Sequence, residues 1–279
     1  MHNLVTELNA LCDTQPFKTR WYLKNLKTGE QAERDGEAVV YSASTRKISI
    51  LMALMAEVHA GRMSLDDPFT IEAKYQDNNS GCFQHLKPGF EITLFDAATM
   101  MIIVSDNAST GKIVDMLGTD HLNEYCQSIG MIDTAHRQNI PDPNLKPEDY
   151  PKVSNATSAN DVGYLLDQMV QGTSDPAAAE RLGCTPELCK QALEIMSWQK
   201  LGKLDQMLPY ETRVDCKTGR GPAHHHDAGV IWHDGEPLYI LSAYTEDVAV
   251  DYPEASGKYV ASTHIAKLSR TCWDALTSG

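Results

Sequence analysis

From Ile48 to Val58 nearly every position is apolar, and Gly61 follows as a helix stop. A helix hydrophobic on all sides belongs in the middle of a domain, so this segment predicts a central buried helix. The residues before it, Tyr41 to Lys47, are small and polar. Around that centre the pattern changes character along the chain. Residues 2–14 carry apolar positions at helical spacing, and Arg20–Leu26 reads as a strand closed by the turn Lys27-Thr28-Gly29-Glu30. Gln31 to Tyr41 predicts a partner strand ending in Ala38-Val39-Val40-Tyr41. Helices follow over Thr93–Val104, Ala108–Leu117 and His121–Ile129, then over Ser158–Gln171 and Pro186–Gln199. Between them, residues 134–156 are proline-rich and aperiodic, which predicts a long ordered loop of the kind that usually carries function.

After Gly202 short β-rich runs take over at Thr212–Lys217, Asp227–Trp232 and Pro237–Thr245, with His233-Asp234-Gly235-Glu236 turning the last two. Ser262–Leu276 closes the chain as a helix. Strands at both ends and helices between them predict an α/β (α+β) fold. One antiparallel sheet built from both termini carries flanking helices, and an all-helical domain is inserted into it. The division expected is 1–50 with 203–279 for the sheet domain and 51–202 for the helical insertion, with a cleft where the two meet.

At 279 residues the chain can bury a large core. Its formal charge of −14 argues against nucleic-acid and anionic-membrane partners, which need clustered Lys and Arg. The 7 cysteines are odd in number, scattered and free of any C-x-x-C pair, so neither a disulfide framework nor a zinc site is expected. The first 20 residues lack a basic leader with an apolar run, and the longest apolar runs are too short to span a bilayer. A cytoplasmic protein acting on a small molecule, with no cofactor and no metal, is the expectation; removal of a leader would give the same sequence.

Candidate chemistry sits at the entrance to the central helix. Ser44 and Lys47 are one turn apart and share a face. The positive helix end and removal from water both oppose an ammonium there, so Lys47 is expected to titrate low and to serve as a base for Ser44. The Ser44 N–H, at the helix start, can point at an oxyanion. The pattern recurs at Ser109/Lys112 and Ser197/Lys200, which are assigned to helix surfaces. Two further motifs fall at structural transitions: Ser105-Asp106-Asn107 in the break between two helices, and Lys217-Thr218-Gly219 at the end of a strand.

These three motifs in this order are the signature of class A β-lactamases and penicillin-binding proteins. The chain resembles the class A β-lactamase-like serine hydrolases over nearly its whole length. Ser80-Gly81-Cys82-Phe83, Met100 through Asn107, and Asp227-Ala228-Gly229-Val230 add to the likeness. The resemblance implies Ser44 as the acylated nucleophile, Lys47 as its proton acceptor and Ser105 as the relay to the leaving amine. It implies that Asn107 binds the substrate amide and that Lys217, Thr218 and Gly219 form the strand that holds its carboxylate. The oxyanion would lie between the N–H groups of Ser44 and Arg220. The family's β-lactamases carry a glutamate in the proline-rich loop to activate the deacylating water; here Asp142 stands nearest that place and Glu148 comes later. The shorter side chain predicts acylation without fast deacylation. A true penicillin-hydrolysing β-lactamase, a D,D-peptidase or transacylase, and a non-catalytic binding module are the alternatives.

Three consecutive histidines, His224 to His226, suggest a metal site, but neighbours in a strand point to opposite faces and cannot converge on one ion. Cys216 is expected on the face opposite Lys217, as an inert thiol. Cys82 and Phe83 fall in a loop expected to wall the cleft.

Overall fold

The structure, a computed structural model, describes residues 1–76, 80–140 and 149–278. Its frame is a five-stranded, wholly antiparallel sheet made from β1 (Lys18–Asn25), β2 (Gln31–Arg34), β7 (Val214–Gly221), β8 (His224–His233) and β9 (Glu236–Glu246), in the order β2-β1-β9-β8-β7. The two chain ends meet inside it, where β1 pairs with β9 from Lys18↔Glu246 to Asn25↔Tyr239. The antiparallel sheet and the helices around it match the fold expected from the sequence.

Strand alternation divides the core in two. Trp21, Leu23, Cys216, Ile231 and Leu241 face the terminal helices α1 (His2–Asp13) and α9 (Gly257–Thr277), with Leu204 and Leu208 beside them. Tyr22, Ala228, Val230, Ile240 and Tyr244 face the helical body. At its centre is α2 (Lys47–His59), buried at every position from Lys47 to Met55. Each Ile, Leu or Met so enclosed contributes about 1.5–3 kcal/mol against exposure. The helices α3 (Leu94–Ile103), α4 (Asn107–Leu117), α5 (Thr119–Ser128), α6 (Ala159–Gly172), α7 (Pro176–Arg181) and α8 (Pro186–Ser197) complete this body.

Several boundaries differ from the sequence pattern. Residues 31–41 are not one strand. β2 ends at Arg34, Asp35 turns with φ +46°, and Val40–Tyr41 forms β3, which pairs with β6 (Ala156–Thr157) in a separate two-stranded sheet. A further small pair joins β4 (Pro68–Thr70) and β5 (Glu91–Thr93). β7 continues past Lys217 to Gly221 because His224–Asp227 of β8 offers it a hydrogen-bonding partner throughout. The three histidines therefore lie inside a strand, and α9 begins at Gly257, capped by Ser256. Among the described residues no helix is long and apolar enough to cross a membrane.

Candidate active site

Ser44 sits on a 3-10 turn, Ala43–Arg46, that leads directly into α2. The turn is fixed from both sides. Thr45 Oγ1 donates to Ser42 O at 2.6 Å and accepts from Tyr244 Oη at 3.0 Å, tying it to the sheet. Ser42 N donates to Asn155 O at 3.0 Å. Ala43 takes φ +45°, a left-handed conformation that a non-glycine residue adopts only at a cost. Ser44 is only partly buried while the residues flanking it are buried, so it is the residue of the turn that solvent can reach.

Lys47 is buried, and its amine lies 2.9 Å from Ser105 O, 3.1 Å from Ser105 Oγ and 2.8 Å from Asn107 Oδ1. Protonated, its three N–H groups fill three acceptors. Neutral, two N–H groups serve the two acceptor-only oxygens and the lone pair turns to the Ser105 hydroxyl. Either charge state is fully bonded, so a proton can come or go without leaving a buried orphan. Burial holds Lys47 well below the usual lysine range, helped by the positive charges of Lys217 and Arg46 and opposed by Asp106.

Ser105 and Asn107 are held in place by the loop Ser80–Phe83. Ser105 has φ +56°, and its carbonyl accepts both Lys47 and Ser80 Oγ, the latter at 2.9 Å. Asp106, fully buried, caps α4 through Ser109 N at 3.0 Å and accepts from Phe83 N at 2.8 Å. Gly81, at φ +88°, packs so closely on Asp106 that a Cβ would collide with it. Phe83 is buried in this wall and Cys82 is exposed.

The third side is β7. Lys217 is buried and donates to Thr218 O at 2.8 Å; burial and then Lys203 bring its amine down to about 7. Gly219 lies against the nucleophile's turn, where a Cβ would stand 3.1 Å from Ala43 Cβ, 3.2 Å from Thr45 Cγ2 and 3.3 Å from His226 Cδ2. That close approach explains a residue without a side chain there. Thr218 is buried and Arg220 is exposed at the rim.

The structure thus brings Lys47, Ser105 and Asn107 into direct contact and sets the Lys217–Gly219 strand against the turn that carries Ser44. Asp142 and Glu148 lie outside the described residues. His226 shares the Lys217 face, and His225 points to the other. His226 accepts from Thr245 N at Nδ1 (3.3 Å) and donates from Nε2 to Tyr41 O at 2.9 Å, which fixes it as a neutral wedge between β8 and β3. Burial keeps it well below the usual histidine range. Cys216 lies in the core opposite Lys217, and burial pushes its thiol up. Ser109 is not on a helix surface: it is fully buried in α4, beneath the Asp106 cap. Among the described residues no group of three His, Cys, Asp or Glu gathers to hold a metal ion. Sequence reasoning missed Arg46, which is buried beside Lys47 and reaches the residues at the base of the proline-rich loop.

Residues 3–276 match the sequence profile described as the Beta-lactamase enzyme family. No curated protein matches the chain significantly. Among solved structures it is similar to PBP-A, with 25% identity and a TM-score of 0.85 over 100% of this chain and 97% of that one. A Leu-to-Glu variant of PBP-A, an acyl-enzyme complex with penicillin G, matches at 25% identity and TM-score 0.82, over 100% and 98% of the two chains. A β-lactamase from Sphaerobacter thermophilus shares the fold at 22% identity and TM-score 0.83, over 100% and 98%.

Proposed function

The chain belongs to the β-lactamase enzyme family, and from that premise we propose that it is a serine hydrolase forming an acyl-enzyme at Ser44 with a small, anionic amide, ester or lactam. The observation that carries the reading is the buried Lys47 amine, one turn from Ser44 and bonded to both Ser105 and Asn107. In the acylation step neutral Lys47 takes the Ser44 proton as the oxygen attacks the carbonyl carbon. The proton passes through Ser105 Oγ to the leaving nitrogen or oxygen, and the carbonyl–heteroatom bond breaks. The N–H groups of Ser44 and Arg220 receive the oxyanion. Asn107 orients the substrate amide, while Lys217 and Thr218 attract its carboxylate. Water then hydrolyses the ester, slowly, because Asp142, nearest the place where the family's β-lactamases carry the activating glutamate, is one methylene shorter.

Acyl transfer with slow release is the second reading, favoured by the similarity to PBP-A, whose variant is an acyl-enzyme complex with penicillin G. Intact-mass measurement after exposure to penicillin G, alongside nitrocefin kinetics, tests both. A persistent adduct that S44A lacks supports slow release, and turnover without an adduct supports a fast β-lactamase. Neither adduct nor turnover, with a fluorophosphonate also inert, overturns the hydrolase reading.

A further inference from the structure

Two consecutive side chains leave the nucleophile's turn in different directions. Lys47 reaches Ser105 and Asn107. Arg46, equally buried, reaches the opposite flank, where Nη1 donates to Gln138 O at 2.9 Å and Nη2 donates to Asn139 O. Nη1 also lies 3.3 Å from His136 Nδ1. An arginine only donates, so that nitrogen accepts, and Nε2–H of the same ring faces Ser49 Oγ at 3.1 Å. Ser49 in turn donates to the Arg46 carbonyl at 2.8 Å.

The connection continues beyond the loop base. Asn139 Nδ2 donates to Gly111 O at 2.8 Å and to Asp115, both on α4. That helix starts at Asn107, the acceptor of Lys47. Arg46, Asn139, α4, Asn107 and Lys47 therefore form a closed ring, with Ser44 on the turn that completes it. Among the described residues no carboxylate pairs with Arg46. The charges facing Lys47 are Lys217 from β7, Arg46 from its own turn and Asp106 from the start of α4. Among the described residues the titratable groups facing Arg46 are its partner His136, kept neutral by burial, and the phenol of Tyr41.

We propose that Arg46 is a positioning residue for the general base: it clamps residues 138–139 to the nucleophile's turn and keeps a permanent positive charge one residue from Lys47. The role rests on Lys47 acting as the base. Two features are separable. The clamp needs a guanidinium that spans two carbonyls, whereas the electrostatic part needs only a cation.

The test is an NMR titration of the Lys47 Cε signal in the full chain, for wild type, R46K, R46Q and R46M. The neutral variants are expected to raise its midpoint by roughly half to one pH unit, and R46K to leave it in place. A purely structural residue would lower the melting temperature in all three without moving the Lys47 midpoint, and that result overturns the proposal. Should the neutral variants fail to fold, R46K decides through penicillin G adduct formation at fixed pH. A several-fold slower rate with an unchanged Lys47 midpoint supports the clamp, and wild-type behaviour overturns it. The adduct on the wild type keeps the two readings apart: no adduct and no turnover removes the hydrolase, while an adduct with a midpoint that stays put in R46Q and R46M removes only Arg46.

Discussion

Lys47 Nζ stands 3.1 Å from Ser105 Oγ, and the Ser105 carbonyl lies 2.9 Å from the same nitrogen. One residue therefore offers the amine both a fixed acceptor and a hydroxyl that can reverse its bond. The fixed acceptor holds the amine while the hydroxyl follows its proton, which suits a group that must change charge while buried.

The electrostatics of that amine can be inverted at one atom. Asn107 Oδ1 lies 2.8 Å from Lys47 Nζ, and N107D would put a carboxylate there. An adjacent anion favours the ammonium, so Lys47 should titrate higher. The acid limb of the acylation rate should move up by roughly one pH unit or more. Rates of penicillin G adduct formation between pH 5 and pH 10, expressed as about six points, would check it. An unmoved limb would mean that Lys47 does not govern the rate.

Backbone strain at Ser105 can be separated from its hydroxyl. S105A and S105G both remove Oγ, and both should slow acylation by about 10²–10⁴-fold. Only glycine relieves the left-handed φ of +56°. S105G should therefore be more stable than S105A by about 1 kcal/mol in urea denaturation, after glycine's greater chain entropy is set against the relief.

Lys217 makes stability depend on pH. Its folded amine titrates at about 7, below the ordinary lysine value of 10.5. Between those values the unfolded chain holds the proton and the folded chain does not, so stability rises with pH across that window. Below it the buried charge is a constant penalty. K217M removes the effect, so the wild-type-minus-K217M stability difference should increase from pH 7 to pH 9.5 by up to a few kcal/mol. Equal slopes in the two urea series would contradict this.

Close approach at Gly219 gives a test of the site's mechanical tolerance. G219A places its methyl 3.1–3.3 Å from Ala43, Thr45 and His226. The turn and the strand must each yield by a few tenths of an ångström. The protein should fold, with a melting temperature within a few degrees of wild type, yet acylate about ten- to a hundredfold more slowly. G81A differs in kind, because its Cβ meets Asp106 at the backbone. It should lose about 3 kcal/mol or more, visible as a lower urea midpoint.

The local signals in the sequence reached as far as local causes did. The all-apolar run after Ile48 forms the central helix, and alternation after Asp227 forms strands with Ala228 and Val230 on one face. Tyr41 shows where such signals stop. Its β-rich context suggests continuation of the preceding strand, but its carbonyl is taken by His226 and its strand pairs with Ala156, both remote in sequence. Arg46 is similar: nothing in its neighbourhood announces that its partners are Gln138 and Asn139. The motif residues stand out in the sequence because the proposed chemistry demands particular side chains; the residues that hold them answer to tertiary geometry alone.

The sheet order has a consequence for how the protein comes into being. β1 lies in the sheet interior, bonded to β9, from which the whole helical body separates it in sequence. A nascent chain therefore has no way to finish its sheet until β9 has been made. The strand bearing Lys217 forms a local hairpin with β8, which joins β1 only through β9. A product stopped before β9 would expose β1 as an open edge, ready to pair with other chains, and one stopped before β7 would also present Ser44 without the wall it faces. Competence therefore arrives with β9, and a chain that stops short of it carries its chemistry half assembled.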